Sequence, residues 1–154
     1  MNVEIIKIQK KLLRRSGEVK NNFLRCGVAG WCMEVIWTGF LNILNRDRKM
    51  TGNTSLLMFP IYGMAWVIKP IGNMLKERNF IIRGIVYTCG IFGVEYVTGS
   101  ILKKNDMCPW DYSESKYNIN GLIRLDYAPA WFGAGLIFEK ILGINTKSSR
   151  EKND

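Results

Sequence analysis

Glu34 and Glu95 are each the only charged residue of a 19-residue apolar stretch, residues 26–44 and 84–102. An ionisable group at mid-depth of such a stretch faces a protein interior or a wet cavity, because hydrocarbon does not solvate it. Both glutamates share a helical face with small residues: Gly27 and Gly30 with Glu34, and Gly84, Thr88, Thr98 and Gly99 with Glu95. Small residues at these spacings let helices approach closely, so the two carboxylates can be brought together. There they can share a proton, bind a cation, or pair with Arg83, Arg124 or Lys69. The competing reading has them gluing helices together as protonated or salt-bridged side chains.

Two further clusters carry polar chemistry. In residues 108–113, Asp111 and Ser113 suit an Asx or ST turn that Pro109 stiffens, and Trp110 and Tyr112 suit anchoring at a membrane interface. The alternative for this loop is a ligand-binding role at a membrane mouth. In residues 122–126, Arg124 and Asp126 stand two apart, which in an extended stretch puts both on one side. Asp126 also sits where an amino cap belongs for a helix with Pro129 in its first turn. Together Glu34, Glu95, Trp110, Asp111, Tyr112, Ser113, Arg124 and Asp126 form the candidate substrate or ion site. No catalytic residue, metal site or cofactor is assigned. With no histidine, His-liganded metals and His-based triads are out, and there is no Walker A, G-x-S-x-G, H-E-x-x-H or dinucleotide turn.

The elements that must position these residues are helical. Residues 3–20 read as an amphipathic helix, with Ile5, Ile6, Ile8, Leu12 and Leu13 opposite Lys7, Lys10, Lys11, Arg14 and Arg15, the composition of a helix on a membrane surface. Four near-membrane-length segments follow, at 26–44, 55–75, 84–102 and 127–142. The first is marginal by itself: its strong apolar residues contribute roughly −3 kcal/mol to insertion and a central carboxylate costs about the same. It therefore needs neighbouring helices. The second contains Pro60 and Pro70 and is expected to start or break near Pro60. The expected organisation is a basic segment at 1–24, a transmembrane domain at 25–143 and a polar tail at 144–154. Three of the four cysteines fall in apolar segments, where a thiol is usually a small core residue.

Composition agrees with a chain of two kinds of sequence. The net charge is +9 and the mean hydropathy −0.03, but the charges crowd the ends and connectors. The basic residues flank apolar segments and form no stripe interleaved with stacking aromatics, so anionic lipid headgroups, and not nucleic acid, are the expected partner. The first 25 residues are too charged for a cleavable signal. With four spans, fourteen basic residues fall on one side against six or seven on the other, which puts both termini in the cytoplasm of a multi-pass cell-membrane protein. The fold class expected is all-α, an integral membrane bundle of about four transmembrane helices preceded by an amphipathic helix.

The motifs GWCMEV at 30–35, TGNTS at 51–55, MFPIYG at 58–63, VEYVTG at 94–99, CPWDYS at 108–113 and GLIRLDYA at 121–128 together resemble one bacterial family, named "Putative ABC-transporter type IV", to which vertebrate transmembrane protein 229 looks related. The resemblance runs over residues 27–139 and implies a multi-pass membrane protein, with Glu34, Glu95, Trp110, Asp111, Tyr112, Ser113 and Asp126 on the family's signature positions. Relatives are expected to vary at Arg124. The function expected is a transporter or permease-like subunit with a carboxylate-lined site between helices, assembled as a homo-oligomer or with a partner membrane subunit. The alternatives are a structural or regulatory module binding lipid or a membrane partner, and an enzyme acting on a lipid through Asp111, Asp126 and Glu95.

Overall fold

The computed structural model describes residues 3–44, 46 and 49–146. Arg48, Lys147, Arg150 and Lys152, counted above for topology, lie outside the described residues, as does most of the polar tail.

Helix α1 runs without interruption over Val3–Leu44, 42 residues or about 63 Å at 1.5 Å per residue. No proline interrupts it, and Gly17 lies in open space. The amphipathic segment and the first apolar segment are thus one element, and the boundary expected at 24/25 falls inside a continuous helix. Its first turns expose Ile5, Ile8, Leu12 and Leu13.

After α1 the chain doubles back along it. Arg46 and Met50 take left-handed conformations (φ +66° and +52°), and residues 51–55 run antiparallel to the last turns of α1. Side chains of α1 hold them there: Asn42 Nδ2 donates to the Thr51 carbonyl (2.6 Å), Trp31 Nε1 donates to the Ser55 carbonyl (2.9 Å), and Thr38 Oγ1 accepts from Asn53 N (2.8 Å). These bonds satisfy backbone groups that no secondary structure pairs.

Helix α2 (Met58–Gly63), a 3₁₀ turn (Met64–Val67) and α3 (Ile68–Leu75) then form one helical run. The run starts two residues before Pro60, as one of the two expected alternatives has it, and its 3₁₀ turn falls further on. Pro60 is the third residue of α2, where a missing N–H has no helical acceptor to lose. Pro70 lies deeper, and its ring displaces the carbonyl four residues earlier, at Trp66, which is inside the 3₁₀ turn. Asn79 caps α4 (Phe80–Lys103) with Oδ1 accepting from Ile82 N at 2.9 Å.

A short ribbon follows, β1 (Asn118–Ile119) antiparallel to β2 (Ile123–Arg124). Asn120 and Gly121, both with positive φ (+54° and +71°), make its turn. A 3₁₀ turn (Leu125–Tyr127) leads into α5 (Ala128–Ile141). Gly143 (φ +67°) ends α5 in a Schellman motif, with Gly143 N donating to Lys140 O and Ile144 N to Glu139 O.

The fold is all-α apart from this ribbon. Helix α1 packs on α2 and its 3₁₀ extension, α4 packs on α5, and α3 bridges to both α4 and α5. Glycines set these contacts: a Cβ on Gly30 would fall within the Tyr62 ring, one on Gly84 within the Phe132 ring, and one on Gly135 2.6 Å from Tyr87 Cβ. The shared core is small, built on Cys26, Ile68, Tyr87, Phe138, Leu142 and Ile144. Cys26 is the one cysteine in it; Cys32 and Cys89 are exposed, because they fall on the outer faces of α1 and α4. Helices α1 and α4 are long and apolar enough to cross a membrane, yet only 17% and 22% of their most apolar windows are buried. A soluble core helix would bury most of such a face.

Candidate functional site

Between the α1–α2 pair and the α4–α5 pair lies a cavity of about 490 Å³. Glu34 of α1 and Glu95 of α4 both line it, with Tyr62 of the α2–α3 run and Trp110 and Tyr112 of the 108–113 loop. The glycine positions explain how the carboxylates arrive there. Gly30 lets the Tyr62 ring lie against the α1 backbone, and the Tyr62 hydroxyl then donates to Glu34 Oε2 one turn further on. Gly84 admits Phe132, and Gly99 admits Trp110 and Leu122, so the face of α4 carrying Glu95 turns inward.

The two glutamates differ in their surroundings. Glu34 is half-buried and has its tyrosine donor. Glu95 is 8% exposed, and its Oε2 is buried with no hydrogen-bond partner among the described residues. The Trp131 indole N–H, likewise buried, is the donor that faces the Glu95 carboxyl, outside strict hydrogen-bond geometry. An unsatisfied buried carboxylate oxygen is costly unless water or a ligand completes it. Among the described residues, neither glutamate pairs with a basic side chain. Each cation considered for that role is engaged elsewhere: Lys69 with Glu18 (2.5 Å), Arg83 with Glu139 and Arg124 with Asp126.

The 108–113 loop divides its residues between two tasks. Asp111 Oδ1 accepts from Ser113 N (3.0 Å) and from Ser113 Oγ (2.5 Å), the Asx turn expected. These bonds hold the Asp111 carboxyl below the usual carboxylate range. Trp110 Nε1 donates to the Leu122 carbonyl at 2.9 Å, which turns its ring toward α4. Trp110 and Tyr112 reach the cavity, whereas Asp111 and Ser113 do not line it.

Arg124 and Asp126 form a forked ion pair, with Nε and Nη2 at 2.8–3.0 Å from the carboxylate oxygens. The extended β2 residue and the 3₁₀ turn put both side chains on one side. Asp126 is therefore not the amino cap of α5. Tyr127 occupies that position without a side-chain cap, because the guanidinium fork takes both carboxylate oxygens. The bonds from Arg124 hold the Asp126 carboxyl below its ordinary range and raise the Arg124 guanidinium. The pair stands outside the cavity, with Arg124 over the Tyr127 ring at 4.4 Å; Tyr127 lines the cavity itself.

A second polar cluster escaped the reading of the sequence. Arg83 and Glu139, with side chains 4% and 6% exposed, pair through Nε–Oε2 (2.8 Å) and Nη2–Oε1 (3.2 Å). The Tyr87 hydroxyl adds a bond to Glu139 Oε2 at 2.7 Å, and Arg83 Nη1 donates to the Arg78 carbonyl. Spacing within α4 carries a hint, since Arg83 and Tyr87 are four apart, but their partner is more than fifty residues away. The Thr38–Asn53 clamp was missed for the same reason.

The fold and the cavity define a class, a helical protein with two bilayer-length apolar helices around an acidic interior. The chain belongs to the family described as "Putative ABC-transporter type IV", whose family model matches residues 21–152. No solved structure matches it. Among the described residues there is no group of three or more Cys, Asp or Glu side chains able to hold a metal.

Proposed function

We propose that this protein is a multi-pass integral membrane protein, a transporter-like subunit whose ligand occupies the cavity between α1 and α4. The observation that carries the reading is the meeting of Glu34 and Glu95, from α1 and α4, on the wall of one cavity with no lysine or arginine beside them among the described residues. Several features support the membrane setting. Apolar side chains cover the outer face of α4, including Ile81, Ile85, Val97 and Ile101, an extent of exposed hydrocarbon that suits lipid and not water. The irregular 51–55 segment lies alongside the apolar part of α1, and non-helical backbone at that depth is tolerated where protein covers it or a cavity adjoins it. In this reading α1, the α2–α3 run, α4 and α5 each cross, both termini are cytoplasmic by the positive-inside rule, and the basic first turns of α1 meet anionic headgroups. A cavity enclosed by so few helices is completed by a second copy or a partner subunit.

The test combines accessibility with flux. An Ile91→Cys variant, carrying its thiol on the cavity wall in a background lacking the native cysteines, should react with a small water-borne thiol reagent. Glu34→Gln and Glu95→Gln should each alter solute flux into proteoliposomes without lowering the yield of folded protein. An unreactive thiol in the Ile91→Cys variant, together with unchanged flux, would leave a dry helix seam and end the transport reading.

A structural or regulatory module is the second reading, favoured by the exposed apolar side chains of the first turns of α1, Ile5, Ile8, Leu12 and Leu13, which offer a contact face for a partner or a lipid surface. It predicts full function in both glutamine variants. Lipid chemistry through Asp111 and Asp126 has less support, since Asp111 is committed to its turn and Asp126 to Arg124.

A further inference from the structure

We propose that the cavity takes an organic cation, an alkylammonium group carried on an apolar body; this rests on the reading of the cavity as a ligand site and adds the class of ligand.

The charge distribution is the first argument. The chain carries nine more basic than acidic residues, yet the cavity is lined by two carboxylates and, among the described residues, by no lysine or arginine. An anion there would face Glu34 and Glu95 with nothing to offset them. A neutral apolar guest would leave both carboxyl groups without a counter-charge. A cation placed beside them supplies one, and a buried charge is tolerated when it is paired at close range.

The walls decide what kind of cation. An inorganic divalent ion needs six or more oxygen ligands for calcium, or an octahedral shell for magnesium. Here the charged oxygens are those of two carboxylates on different helices; the remaining side-chain oxygens of the wall are neutral, from Thr38, Asn53, Thr54, Ser55 and the tyrosines, and Ile61, Ile68, Ile91 and Val94 make much of it apolar. Aromatic rings supply a further part of the wall. Trp37, Tyr127 and Tyr112 meet edge to face in a continuous series, with centroids 5.6 Å and 5.8 Å apart. Trp131 sits beside Glu95. Rings presented to one space beside carboxylates are the recognition chemistry of alkylated ammonium groups, where the ring faces attract diffuse positive charge. Arg124 already lies over Tyr127, but its charge is offset by the forked pair with Asp126 outside the cavity. A volume of about 490 Å³ accommodates a small organic molecule, and the apolar walls leave a place for its hydrocarbon.

Such a group can come from a free solute or from a lipid headgroup, and one experiment separates the two. Full-length protein is placed in nanodiscs of phosphatidylglycerol and titrated with benzyltrimethylammonium. Tryptophan emission is the readout, because three of the five tryptophans line the cavity. The expected result is saturable quenching, at least tenfold weaker for the neutral isostere neopentylbenzene and at least tenfold weaker in Glu95→Gln. If Glu95→Gln does not fold, Glu34→Gln and the isostere comparison in wild-type protein carry the test. In discs where phosphatidylcholine replaces half of the phosphatidylglycerol, an apparent affinity weaker than in discs where an uncharged glycolipid replaces the same half assigns the site to a lipid headgroup, and an equal one to a free solute, because both replacements lower the surface potential alike. Absence of saturable quenching in all of these discs overturns the proposal, as does equal affinity for the neutral isostere. Cation binding without flux would remove the transport reading and leave this one standing; specific uptake of an anion or neutral solute would do the reverse.

Discussion

Replacing Glu139 with alanine tests the reasoning about the buried cluster most directly. The substitution leaves Arg83, whose side chain is 4% exposed, without its carboxylate, and takes the acceptor from Tyr87 Oη (2.7 Å). Arg83 Nη1 keeps the Arg78 carbonyl, so the guanidinium is not stripped of every partner. Removing one member of a buried pair costs about 3–5 kcal/mol, or roughly two to nearly four powers of ten in the unfolding equilibrium. Removing only the tyrosine hydroxyl, in Tyr87→Phe, costs less, about 1.5–3 kcal/mol for a bond to a charged group. The double variant Arg83→Met with Glu139→Leu removes both charges and fills their volume, and although it too leaves Tyr87 Oη without its acceptor, it should be more stable than Glu139→Ala. Reversible unfolding of the purified protein in mixed micelles, followed by circular dichroism, orders the four proteins. If Glu139→Ala unfolds within about 1 kcal/mol of wild type, well under the cost of breaking a buried pair, or if the double variant is the least stable of the set, the cluster does not hold α4 to α5 in the way described.

Three shorter predictions concern other elements. Gly30→Ala places a methyl inside the Tyr62 ring and should destabilise by about 1–3 kcal/mol through overpacking, whereas Gly93→Ala, in open space on α4, should be neutral or stabilising by up to about 1 kcal/mol; thermal melts of the two compare them directly. Gly121→Ala forces a side chain onto a residue at φ +71°, 2.9 Å from Asp111 Oδ1, and should loosen the ribbon, seen as faster amide exchange at Leu122 and Tyr112. Asp126 should titrate below its ordinary value of 3.8 because Arg124 holds it ionised. Its pairing therefore stabilises the fold above the ordinary carboxylate range and is lost as the pH falls through the lowered value; carboxyl-carbon resonances should show the midpoint rising in Arg124→Gln, and an unmoved midpoint would remove the pair as its cause.

The sequence by itself determined that Glu34 and Glu95 turn inward. A lone charge in an apolar helix has one favourable direction, toward protein, and the glycines at helical spacing mark that direction in one dimension. The Asx turn at Asp111 and the helical character of all four apolar segments were legible for the same reason, because each depends on residues within a turn or two of one another. Tertiary structure decided everything that depends on distant partners. Asp126 has the local signature of a helix cap, but Arg124 offers a guanidinium fork that a backbone N–H cannot match, and only the folded β2 and 3₁₀ geometry shows which one wins. Trp110 and Tyr112 have the composition of interface anchors in sequence; that both line the cavity, with Trp110 bonded to the Leu122 carbonyl, only the fold shows. Arg83 and Glu139 bond across 56 positions; no period along one helix encodes such a pairing, since the choice among possible partners is made by where α4 and α5 cross.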